Sequence, residues 1–407
     1  MEKKYEILDE SKIVECTCKY AKVFRIRALK DFGGVKKGDL GGYIECENNL
    51  SHEGTCWVYG NALVCDNAVV SDNAKIYGHA MVYDNAKIYG SGIVSDNAEV
   101  YGNAEVYDNG VVLLHGSVFD NAKIYGGAHV LDKALVSGNS IVYDNARVYG
   151  ESKIYDNAKI YDNAKVYGRA KVYKHAWVYN NAKIYGKAKI YGHTRIYGYA
   201  KIYDKAIIYG HARVYGYAEV YDKAKIRMYA NVFDYAKIHG DALIDGYSMV
   251  YDKASVYYSA YVGGHAKVYG GSTLIRDCSV SDYAEVYDFS KITNSAHIKD
   301  NARVCGTSTI TGVSRIDGNA YIASNNDYMT CGPIGNDIFN MVTFYKNENK
   351  EIYATIGGFT GTIDEFEKSL DDICEDEEEY INEYLNLIKF IKDSWRDKND
   401  GEEVRDN

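Results

Sequence analysis

The residues best suited to chemistry in this sequence are cations and aromatic rings set side by side. Residues 145–240 hold 18 Lys or Arg against 7 Asp or Glu, and units such as Ala-Lys-Ile-Tyr recur through them. Rows of cations neutralise phosphates and aromatic rings suit unstacked bases, so this stretch is fitted to a polyanion. Residues 364–407 reverse the sign, with 17 Asp or Glu against 6 Lys or Arg, and the whole chain carries a net charge of −10. Ten histidines offer base or metal chemistry. His129, His239 and His297 are expected to face outward and are candidate general bases. His175, His193 and His211 recur at one spacing. A metal needs three or four ligands closing on one point, so these are expected to occupy exposed turns, and no metal or other cofactor is expected. The nine cysteines are scattered. Cys16 and Cys18 are too close for the usual redox or zinc pair, and Cys56 and Cys278 fall where a thiol serves as a small hydrophobe.

The elements that must position these side chains follow from one repeat. The 407 residues include 42 Tyr, 38 Gly and a single Pro. From Val58 to Ile322 a Val or Ile recurs every six residues, giving 45 repeats in which only Leu274 departs. The fifth position is small in every repeat but the last. Period six does not match the 3.6 residues of a helical turn, whereas Ala-Lys-Ile-Tyr alternates inward and outward as a strand must. The β-branched and small residues face in, and Tyr and the charged residue face out. The intervening Gly-Asn or Asp-Asn pairs are turn chemistry, with Asn expected to take the left-handed conformation.

The [Ile/Val]-x-x-x-[small]-x pattern resembles the hexapeptide-repeat superfamily, whose fold is a left-handed parallel β-helix with three hexapeptides per triangular coil. The resemblance covers residues 58–325 and implies an all-β solenoid of about 15 coils. The second position departs from it, being often Gly in the superfamily and usually Tyr here. The flanks Leu40–Ala62 and Gly357–Glu367 resemble the YdcK-like β-helix proteins of bacteria and their phages, a group called acyltransferases mainly through the shared fold.

With 18 residues to a coil, outward residues spaced by 18 form columns. One is aromatic from Tyr89 to Tyr287 and includes Tyr161, Tyr179, Tyr197 and Tyr215. Beside it lie Lys159, Trp177, Arg195 and Arg213 on one face, and Arg147, Lys165, Lys183 and Lys201 on the next. A corner carries Arg169, Lys187, Lys205 and Lys223, and another carries Tyr199, Tyr217 and Tyr235. These cations and rings are the candidate binding surface. Stacked tyrosines also serve strand pairing, since Tyr has high strand propensity.

Both ends are expected to cap the solenoid, because an open end exposes unpaired strands. Residues 1–57 read as a small β cap of short strands that includes Lys22–Leu29. Residues 326–407 read as an α+β cap. In it, Phe339–Tyr345 and Glu351–Ile356 suggest a hairpin. Thr362 to Glu365 is a capping box opening a helix, and Ile381, Tyr384, Leu385, Ile388 and Ile391 mark a second helix. The acidic run Glu375–Glu379 is expected to be solvated. No apolar run is long enough to span a membrane, and the N-terminus lacks the apolar core of a signal peptide, so a cytoplasmic protein with no membrane partner is expected.

Two functions remain open on these residues. One is a non-enzymatic binding or scaffold protein presenting Tyr/Lys columns, with nucleic acid, a nucleotide or a host protein as partner. The resemblance allows a phage or prophage role of sequestering such a factor. The other is an acyltransferase using acyl-CoA, as the resemblance implies. In such enzymes acyl-CoA binds between neighbouring prisms of a trimer, so a homo-oligomer (dimer or trimer) is compatible with either reading. No loop is extruded from the repeats to complete such a site, and no single histidine stands out as its base.

Overall fold

A two-residue strand followed by a tight turn is the unit that the hexapeptide dictates. In the computed structural model, which describes residues 2–16, 19–334, 341–374 and 377–395, such strands recur every six residues and pair in parallel with the strand 18 residues on. Lys165 pairs with Lys183 and Val166 with Ile184, for example. The outward residue of a coil strand reaches the surface, with Trp57 and Leu63 as buried exceptions. The inward ones, such as Val148, Val166 and Ile184, are fully buried, as are the small residues Ala146, Ala164 and Ala182. Each buried Val or Ile contributes roughly 1.5–3 kcal/mol of transfer free energy, so the β-branched column is the main stabilising term of every coil.

The turns correct one expectation. The left-handed residue is the first of the Asp-Asn or Gly-Asn pair, not the Asn that follows: Asp144, Asp156 and Asp162 have φ of 54°, 60° and 55°. Asp tolerates this conformation because its carboxylate accepts a hydrogen bond from the backbone N–H one coil on. Asp72 accepts from Gly90 at 3.0 Å, and Asp162 from Asn180 at 2.9 Å. Pro could neither adopt this φ nor supply that N–H.

The chain forms two compact units, Met1–Gly240 and Asp241–Asn407. In the first, β1 (Tyr5–Cys16) and β2 (Lys19–Ala28) form an antiparallel hairpin, and β2 pairs with β3 (Leu40–Ile44). These strands of 12, 10 and 5 residues are partly longer than the short strands expected. β3 then pairs in parallel with Leu63–Val64, so a coil forms ahead of Val58. Ile44 and Leu50 keep the six-residue spacing and are buried, and the spacing slips by two residues before Val58. That slip hides this coil from the repeat. Under it Lys4 is fully buried, its Nζ donating to the carbonyls of Glu53 and Cys56 at 3.2 and 3.0 Å. Thr17 and Cys18, and the side chain of Cys16, lie outside the described residues.

In the second unit, coil strands run to Tyr321–Ile322 and a four-stranded antiparallel sheet follows. The expected hairpin is its centre, Val342–Lys346 against Ile352–Ile356, flanked by Tyr328–Cys331 and Phe359–Thr362. Phe339 lies outside the described residues, as do Glu375 and Asp376 of the acidic run; Glu377–Glu379 are exposed. The capping box forms at Ile363–Lys368: Thr362 Oγ1 accepts from Glu365 N–H at 3.2 Å, and Glu365 accepts from Thr362 N–H at 2.8 Å. Phe366, Tyr384, Ile388 and Ile391 pack with Phe344 in the cap's core. Leu385, expected on that apolar face, is 36% exposed. Buried Asp317 of the last coil accepts hydrogen bonds from Tyr345 and Thr355 of the sheet, both at 2.6 Å, which ties this cap to its coils. No described helix is long and apolar enough to cross a membrane.

Candidate functional site

The 18-residue register within the first unit sets the candidate side chains in order around the coil. Lys159, Trp177, Arg195 and Arg213 stand on one face. The ring column Tyr161, Tyr179, Tyr197 and Tyr215 follows. A corner then carries Asn145, Asn163, Asn181 and Tyr199, and the next face carries Arg147, Lys165, Lys183 and Lys201. Arg169, Lys187, Lys205 and Lys223 mark the corner beyond.

The rings do not offer the stacking platform that their type suggests. Tyr161, Tyr179, Tyr197 and Tyr215 lie face to face at 4.8–4.9 Å and within 9° of parallel. Tyr149, Tyr167, Tyr185, Tyr203 and Tyr221 do the same. Each interior ring covers its neighbour's face, so a base cannot slide between them, and what reaches solvent is ring edge and hydroxyl. Burial, with the neighbouring phenols and Asp162 adding to it, pushes Tyr161 up to about 12, so its hydroxyl stays neutral at physiological pH. The columns thus brace coil against coil.

The cations divide sharply. Arg169 is paired with Glu151 at 2.8 Å and Lys201 with Glu219 at 2.7 Å. Lys159 and Arg195 lie over the Trp177 ring at 5.1 and 5.2 Å. Arg147, Lys165 and Lys183, in three successive coils, make no ion pair among the described residues, and neither do Lys187, Lys205 and Arg213. The first three border an open groove of about 540 Å³, lined by Asn145, Arg147, Asn163, Lys165, Asn181, Lys183 and Tyr199. The groove therefore joins residues from two of the expected columns. In the sequence its Asn145, Asn163 and Asn181 read as turn residues only. The available signal was their 18-residue spacing next to the cation column, and the change to Tyr at position 199.

The histidines lie elsewhere. His175, His193 and His211 are stacked face to face at 4.7 and 5.0 Å. Their lone pairs lie in parallel planes and do not converge as a tetrahedral metal requires. No cluster of metal-ligating side chains occurs among the described residues. Burial lowers the affinity of His129, His239 and His297 for a proton. Arg147 adds to this for His129, while Asp222 opposes it for His239. In the second unit His297 Nδ1 shares a 2.6 Å hydrogen bond with Ser279 Oγ, while Arg315 and Lys299 help to keep its imidazole neutral.

No protein-family profile matches the chain. Over 81 residues, 19% of its length, it is 35% identical to a protein of Escherichia coli (strain K12) called "Uncharacterized acetyltransferase YdcK". The match covers 25% of that protein, so the chain spans about a quarter of the length of the curated relative it matches. The parallel β-solenoid and this partial similarity agree with the architecture of hexapeptide-repeat β-helix proteins.

Proposed function

We propose that the first unit is a binding module for a phosphate-bearing anion, held along the groove beside Arg147, Lys165 and Lys183. The observation that carries this is the run of three stacked cations without acidic partners. Like charges at the ~4.8 Å spacing of stacked strands repel by about 1 kcal/mol per pair in water, and an anion lying along them relieves that cost. The groove is lined by amides, cations and a phenol, with no carboxylate, imidazole or thiol to supply a base or nucleophile. Retention or sequestration of the ligand fits this lining better than its conversion. The test is fluorescence anisotropy with a labelled oligothymidylate across 25–200 mM salt. Three phosphate contacts give a slope of about −2 in log K against log salt. Lys165→Gln with Lys183→Gln reduces it to about −0.7. Absence of binding of both the oligothymidylate and inorganic tripolyphosphate at 25 mM salt, or an unchanged slope in the double variant, refutes the reading.

Acyl transfer is the second reading, favoured by the similarity to the protein called an acetyltransferase and by the His297–Ser279 contact. A neutral imidazole at the surface of a coil can accept a proton from an incoming nucleophile. Acetyl-CoA turnover that disappears in His297→Ala supports this reading; turnover that is absent, or unchanged by the substitution, removes it.

A further inference from the structure

The groove is a bounded site, not a stretch of a continuous track. Its face column begins after His129, whose imidazole burial keeps from charging, and ends at Lys201, which Glu219 neutralises. Its corner column begins after Gly127 and ends at Tyr199, where the ring replaces the amide. Both boundaries fall in the same coils, so three unpaired cations and three amides are enclosed between them.

The amides themselves are unusual. At the neighbouring corner the same residue type at the same spacing forms a closed ladder. Asn67, Asn85, Asn103, Asn121 and Asn139 each donate to the next Asn 18 residues on, at 3.0–3.3 Å. The side chains of Asn145, Asn163 and Asn181 make no such bonds among the described residues. Their donors and acceptors stand open along the groove. Tyr199 stacks on Tyr217 on one side at 4.9 Å, but on the other its column neighbour is the Asn181 amide, not a ring. At the groove the Tyr199 stack therefore ends against a polar side chain.

We propose that the groove binds a single nucleoside oligophosphate. Its phosphates lie along Arg147, Lys165 and Lys183, whose long side chains reach from three successive coils to one short phosphate chain. Its base packs at the Tyr199 end, where the Asn181 and Asn163 amides, each both donor and acceptor, meet its hydrogen-bonding edge. A polymer is disfavoured because the interior rings are mutually covered and the unpaired run at this face ends after three coils. This inference rests on the phosphate-binding reading and narrows it.

Calorimetric titration of the full chain with adenosine triphosphate, inorganic tripolyphosphate and an oligothymidylate separates the two. Adenosine triphosphate is expected to bind at least tenfold more tightly than tripolyphosphate. Tyr199→Ala and, independently, Asn181→Ala should abolish that ratio and leave tripolyphosphate affinity within twofold. Lys183→Gln should weaken both ligands. Equal affinity for the nucleotide and tripolyphosphate overturns the nucleotide assignment while leaving the phosphate site standing. Binding of the oligonucleotide alone overturns it in favour of a polymer track. Failure of all three ligands to bind at low salt removes the phosphate reading itself. Circular dichroism of each variant, matched to the parent, confirms that loss of binding is not loss of fold.

Discussion

Truncating one ring in the middle of a tyrosine column should open the solenoid locally and measurably. Tyr179 is stacked on Tyr161 and on Tyr197, each at 4.9 Å and within 9° of parallel. An aromatic pair contributes about 0.5–1.5 kcal/mol beyond its buried area, so Tyr179→Ala removes about 1–3 kcal/mol of stacking. The half-buried ring loses roughly a further 1 kcal/mol of apolar burial. Coils interact only with their neighbours, so the loss of about 2–4 kcal/mol stays local. Native-state hydrogen exchange reads it directly at the Tyr161 and Tyr179 amides, which bond to Val178 and Ile196 carbonyls of the next coil. At about tenfold per 1.4 kcal/mol, their protection should fall roughly 30- to 700-fold. The amide of Lys87, several coils away, should be unaffected. Tyr77 provides the internal scale, because it has a ring partner on one side only, Tyr59 at 4.5 Å. Tyr77→Ala should cost about half as much in stacking. Protection at Tyr161 and Tyr179 within threefold of the parent would refute the idea that the columns brace the coils, and would return them to the role of a partner-binding surface.

Two further outcomes follow from the second unit and from the histidines. Asp317→Ala leaves the buried hydroxyls of Tyr345 and Thr355 without their carboxylate acceptor, at about 1–3 kcal/mol each. The C-terminal cap should unfold at lower urea, followed by the fluorescence of Trp395, and an unchanged midpoint would show that Asp317 does not anchor it. Because burial lowers the folded-state proton affinity of His129 and His297, the unfolded chain binds more protons as pH falls through about 6.5. Stability from these groups is therefore present above that pH and lost below it. Thermal midpoints at pH 7.5 and 5.0 should show a drop that His129→Gln reduces; a drop of the same size in the variant would place its origin elsewhere.

Much of the fold was legible because burial in a hexapeptide coil is a local property. Val58 to Ile322 keep one residue type at one spacing, and each of those side chains meets the same interior. The capping box at Thr362 and Glu365 was equally readable, since both partners lie within one turn of chain. The coil before Val58 is not legible in the repeat because two extra residues break the spacing while the backbone pairing of Tyr43 with Leu63 continues. The sequence does not decide which residue of the turn pair is left-handed, because Asn and Asp tolerate that conformation alike. The choice between them lies with an N–H one coil away, which the Asp72 and Asp162 carboxylates reach.

The candidate site divides along the same line. Sequence alone places Lys165 and Lys183 in an outward column, because alternation along a strand decides which way a side chain faces, and Tyr199 at a corner, because it sits in the turn between strands. It could not say that Lys201 and Arg169 are already neutralised, while Lys183 is not. It could not say that the Asn67–Asn157 amides satisfy one another and those of Asn145–Asn181 do not. Nor could it show that parallel rings cover each other's faces. Those facts depend on side-chain orientation relative to residues 18 positions away, and only the closed coil brings such residues within bonding distance.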